Sequence, residues 1–125
     1  MGEEDWARFR EGIELFNAGS FWHAHEAWEA VWRRKTGDCT FFFKGLIQAA
    51  AAYHQLEQGK FRGMMTHFDN ARAKLVPFAP EYLGVRVDAL LESLDRSRHE
   101  AERLGKTGLQ PCPRTPVARI EFAPS

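Results

Sequence analysis

The chain carries no surplus of either charge, with 17 lysines and arginines set against 17 aspartates and glutamates. A nucleic-acid binder needs a basic face or a high isoelectric point, so nucleic acid is set aside as a partner. The one basic run, Arg33-Arg34-Lys35, falls where a helix should end, and there it suits the negative end of the helix dipole. No apolar run nears the roughly 20 residues that a membrane span requires, so no membrane is expected either. The N-terminal stretch is acidic and then amphipathic, the reverse of a signal peptide. Only two cysteines occur, Cys39 and Cys112, both expected in loops, without a CxxC pair or metal-ligand spacing. A cytoplasmic protein with reduced thiols is the expectation.

Aromatic side chains are abundant instead. They make up 13% of the chain, and three of the four tryptophans lie between Trp22 and Trp32. At 125 residues the length suits one domain with one core. Trp6, Phe9, Ile13 and Phe16 recur at helical spacing, and Gly19 offers a left-handed cap after them. Ser20 is placed to cap a second helix that runs to about Arg34, where Thr36-Gly37-Asp38 breaks it. A third helix, about Phe41 to Gln58, is apolar nearly all round, which belongs in the middle of a bundle. Gly59 ends it, and a fourth follows from Phe61 to about Val76, stopped by Pro77 and Pro80. A fifth begins between Tyr82 and Asp88 and closes at Gly105.

Two junctions echo each other: Asn17-Ala-Gly19-Ser-Phe21 and Glu57-Gln-Gly59-Lys-Phe61. Each joins two helices, with core residues at matching distances past the glycine. The pattern resembles a tetratricopeptide hairpin, although its period is longer and only two copies exist. The fold expected is therefore all-α: a bundle of about five helices, built from two hairpins and a C-terminal helix, over residues 1–105. Residues 106–125 form a proline-containing tail, in which Val117 to Phe122 alternates apolar and polar residues and suits either a short docked strand or a frayed end.

The chemistry-bearing side chains concentrate on the second helix. Phe21, Ala24, Trp28, Val31 and Trp32 form its core stripe. His25 falls on the edge of that stripe, Glu29 just beyond it and Glu26 further out. His25 and Glu29, one turn apart, can touch. In an antiparallel hairpin with the third helix, His25 faces Ala50 and Glu29 faces Leu46, with Gln48 between them in height and His54 level with Phe21. His23 points away. Arg62, opening the fourth helix, is placed to meet an anion or solvent.

The string Phe16-Asn17-x-Gly19-x-Phe21-x-x-Ala24-His25-Glu26-x-Trp28-Glu29-x-x-Trp32-Arg33 resembles the signature of small all-helical prokaryotic proteins grouped as domain of unknown function 309. Gly45-Leu46-Ile47-Gln48-x-Ala50-Ala51, Tyr53-His54 and Gly59-x-x-Arg62-Gly63 continue the likeness, which spans about Phe9 to Leu94. The resemblance implies the compact helical fold and brings no activity with it.

Three readings compete for the cluster. The favoured one is a non-enzymatic binding or interaction module. Its polar pocket is built around His25, Glu26 and Glu29, with Trp28, Trp32, Gln48, His54 and Arg62 as further candidates and no cofactor required. A protein or peptide partner, or a second copy of the chain, would meet exposed aromatics such as Trp22 and Trp6. The alternative is a metal-dependent hydrolase in which His25, Glu26 and Glu29 hold a divalent ion. H-E-x-x-E differs there from the zinc motif H-E-x-x-H by a glutamate in place of the second histidine. The third reading is purely structural, with His25, Glu29 and Gln48 satisfying one another at the hairpin interface.

Overall fold

The periodic stripes fold as their spacing dictates. In the computed structural model, which describes residues 2–108 and 120–122, five helices follow in order. They are α1 (Glu3–Asn17), α2 (Phe21–Trp32), α3 (Asp38–Glu57), α4 (Phe61–Leu75) and α5 (Val87–Gly108). Each packs against the next, and α3 lies between α2 and α4. Its broad apolar surface explains that position, since Phe42, Phe43, Leu46, Ala49, Ala50, Ala52, Tyr53 and Leu56 are all fully buried. A helix so enclosed needs small residues where neighbours come close. A Cβ at Gly45 would lie 2.7 Å from the Leu75 side chain of α4.

The hairpin corners are glycines for a conformational reason. Gly19 (φ +85°) and Gly59 (φ +70°) stand in the left-handed region that side chains with a Cβ avoid. Ser20 takes the N-cap position of α2, as expected, but its side chain makes no capping bond.

Four details depart from the sequence expectation. Helix α3 starts at Asp38 rather than Phe41, because Gly37 (φ +90°) turns the chain sharply and Asp38 favours the positive helix end. Cys39 therefore lies in a helical turn, not a loop, while Cys112 falls outside the described residues. Helix α5 runs through Gly105 to Gly108, since a glycine only weakens a helix where no turn follows. Between α4 and α5 a short 3-10 turn (Val76–Phe78) leads into two strands, β1 (Glu81–Tyr82) and β2 (Val85–Arg86). They pair antiparallel around Leu83 (φ 49°) and Gly84 (φ 81°). Two positive φ angles in succession fit the tight hairpin turn, and a leucine at its first position gives little sequence warning.

Part of the tail docks on the bundle. Ile120 is buried, and Asn17 at the end of α1 both donates to its carbonyl (3.0 Å) and accepts from its amide (2.8 Å). Phe122 bridges to Val85, and the Glu121 carbonyl accepts from the Arg86 amide at 2.9 Å. The alternation seen from Val117 onward thus ends in an extended contact, although residues 117–119 lie outside the described ones.

The basic run does more than cap α2. Arg34 and Lys35 both reach Asp5 at 2.6 Å, tying the start of α1 to the end of α2, while Arg33 turns back to Glu29. Asp5 also accepts from the Gly2 amide at 3.1 Å. The Lys35 hydrogen bond above all, and then the Gly2 amide and the two cations, hold its carboxyl below the ordinary carboxylate range against an opposing effect of burial.

Candidate functional site

Helix α2 turns about 100° per residue, which sorts its polar side chains onto different faces. His25 and Glu29 share one face. Their Nε2 and Oε2 atoms lie 3.3 Å apart, and the side chains are 22% and 24% exposed. The second Glu29 oxygen accepts from Arg33 at 2.5 Å. Glu26 takes another direction. It is exposed in the groove between α1 and α2, beside Arg8, Glu11 and His23.

His25 lines a cavity of about 200 Å³ between α2, α3 and α4. Phe21 and Trp22 line it from α2, Ala50, Ala51, His54 and Gln55 from α3, and His67 from α4. His25 and Ala50, expected to face each other, line the same cavity. The small Ala50 and Ala51 leave the space, and Gly63 helps to keep Gln55 in place, because a Cβ there would come within 2.5 Å of the Gln55 Oε1. Trp22, 51% exposed, lies parallel to the His25 ring (centroids 5.1 Å apart, 9° between planes) and also leans on His54 at 5.5 Å.

The three imidazoles have unlike partners. His67 Nδ1 lies 2.6 Å from Gln48 Oε1. His54 Nε2 lies 3.2 Å from the Gln58 amide nitrogen. His25 Nδ1 is buried and has no protein partner. Burial pushes the His25 pKa below the usual imidazole range; Glu29 opposes this, while Lys44 and His54 add to it. Burial lowers His67 as well, with His25 and Lys44 contributing.

Those shifts predict a two-stage loss of stability in acid. A ring whose folded pKa is depressed stays neutral while its unfolded counterpart takes a proton. Stability conferred by His25 and His67 is therefore present above the unperturbed value of 6.5 and lost as pH falls below it toward the folded values. The Asp5 contribution survives that range and is lost only below 3.8, as pH falls through its own lowered value. Thermal melts against pH should show both steps, with the first flattened in a His25→Gln/His67→Gln variant. An unchanged first step would refute the assignment.

The other sequence candidates divide. Trp28 is fully buried and donates from Nε1 to the Phe9 carbonyl at 3.1 Å, so it serves the core. Trp32 is not in the core but half-buried at its rim, with Lys44 Nζ 4.9 Å from its ring centre. Gln48 turns to α4 and His67, so the network of His25, Glu29 and Gln48 is not assembled. Arg62 is exposed and lines no part of this cavity. With Glu26 on a different face, the His25, Glu26 and Glu29 ligand set does not converge. Among the described residues no three His, Cys, Asp or Glu side chains come together as a metal would require. None of their helices is long and apolar enough to cross a membrane.

Sequence reasoning missed His67 and Gln55. His67 sits one position before the core residue Phe68, at the edge of the α4 stripe, but nothing in the spacing says which helix that edge faces. Phe41 was missed too: it is 61% exposed over a separate groove of about 490 Å³ formed with Lys74, Pro77 and Phe78.

Residues 9–67 match the family model described as a domain of unknown function, DUF309. Over this stretch the chain is similar to the DUF309 family. The match runs from Phe9 in α1 to His67 in α4, so every side chain lining the histidine cavity falls inside the DUF309 segment. No curated protein matches the chain.

Proposed function

We propose that this protein is a non-enzymatic binding module of the cytoplasm, whose small ligand sits in the cavity between α2, α3 and α4. The unpartnered His25 Nδ1 carries the reading. A buried polar atom left without a partner costs about 1–3 kcal/mol, and a purely structural network would have satisfied it. Concave sites with an aromatic wall and a few convergent polar groups are where small molecules bind, and Phe21, Trp22 and three imidazoles fit the description. A nucleophile is not part of the arrangement, because Cys39 and Ser20 do not line the cavity.

The test is a thermal-shift screen of small metabolites against the wild type and Ala51→Leu, whose larger side chain fills the cavity. Compounds that raise the melting temperature of the first and not of the second support the reading. Equal shifts in both, or none in either, would remove it.

A further inference from the structure

Residues 120–122 meet the bundle as a strand meets a sheet. Phe122 forms an antiparallel bridge with Val85, and the Arg86 amide donates to the Glu121 carbonyl at 2.9 Å, along the edge of β2 that β1 leaves free. Such an edge is a template for any extended chain that reaches it. On the α1 side, Asn17 holds Ile120 by both main-chain groups. Its side-chain oxygen accepts the Ile120 amide and its nitrogen donates to the Ile120 carbonyl. An asparagine used this way does what a neighbouring strand would do, and it reads backbone regardless of side chain.

Side chains supply the selectivity. Ile120 is buried, and Glu121 faces Arg86 at 3.4 Å. Phe122 packs edge-on to Phe9 and lies over Gly84, where a Cβ would stand 3.4 Å from its ring. The slot thus fits an aliphatic, an acidic and an aromatic residue in succession. Its cover is shallow. Glu121 and Phe122 are exposed, and their ion pair with Arg86 stands in solvent, where such pairs contribute little. Release of the segment would open Asn17, the β2 edge and the apolar floor at Phe9 and Val85 together.

We propose that Asn17 and the free edge of β2 form a peptide-docking slot. The chain's own residues 120–122 plug it, and an extended segment of another protein with the same aliphatic, acidic, aromatic pattern takes their place. The plug is a tethered competitor, since a short tether holds its segment at an effective concentration of about millimolar.

The probe is a fluorescent synthetic peptide of residues 117–123, blocked at both ends, titrated against the full chain and its Ile120→Asp variant. The variant expels its own segment, because an unpaired aspartate is costly to bury. It should bind the peptide about tenfold or more tighter than the unmodified chain. Adding Asn17→Leu, close in size but without the amide, should weaken that binding about tenfold or more. A peptide with aspartate in place of the isoleucine should not bind. Equal binding by the unmodified chain and Ile120→Asp, or binding indifferent to Asn17, would overturn the proposal. Should Ile120→Asp not fold, the unmodified chain answers the same question by NMR with isotope-labelled protein and unlabelled peptide. Saturating peptide should then move the Ile120 amide to its unbonded position while the Arg86 amide stays hydrogen-bonded. An Ile120 amide that never moves would refute the exchange. A mass that doubles with concentration in the unmodified chain, and not in Ile120→Asp, would give the slot to a second copy and end the partner assignment.

Discussion

Gly12→Ala is expected to destabilise the protein by about 3 kcal/mol, at the upper end of what overpacking a core costs. A Cβ at Gly12 would overlap the indole of Trp28, with Cδ1 at 2.5 Å and Cε2 at 2.6 Å. That indole has nowhere to go. It is fully buried, its Nε1 donates to the Phe9 carbonyl one turn earlier in α1, and Phe16 packs against it at 5.9 Å between ring centres. Trp28→Ala should cost about 3–5 kcal/mol through the cavity it leaves. The two changes should not add, because the smaller side chain removes the overlap. Chemical denaturation of Gly12→Ala, Trp28→Ala and the double variant measures the coupling. Losses that simply sum would show that the glycine does not seat the indole.

The second large effect concerns ligand binding. For wild type, a ligand at about a hundred times its Kd adds about 2.7 kcal/mol to stability, on the order of 10 °C in melting temperature for a domain of this size. Ala51→Leu should abolish that gain. Ala51 is only half-buried, so the added side chain occupies the cavity instead of straining the core. The fold should keep most of its stability. If the variant retains the full ligand-induced shift, the ligand binds elsewhere.

Much of the fold is readable before any coordinates. The stripe on α1, the enclosed character of α3, the glycine corners at 19 and 59 and the edge position of His25 all follow from period and residue type. What escaped is what period cannot encode. The rotation of α4 about its axis decides that His67 meets Gln48 and the cavity, and a tight turn through Leu83 decides the small hairpin. Glu26 was legible by the same period, which already set it further out than His25 and Glu29, and it joins the groove beside α1. Trp32, on the stripe by spacing, stays at the rim of the core, with the Lys44 ammonium over its ring. Docking of Ile120 depended on Asn17, a polar residue at a helix end that no periodicity marks.

Ligand binding between α2, α3 and α4 is read most directly on the ring resonances of His25 and His67, which line the cavity from opposite sides of α3. A small molecule that raises the melting temperature of the wild type should shift both rings saturably and leave them unmoved in Ala51→Leu. Shifts that spare both rings, or that persist in Ala51→Leu, would contradict the binding site.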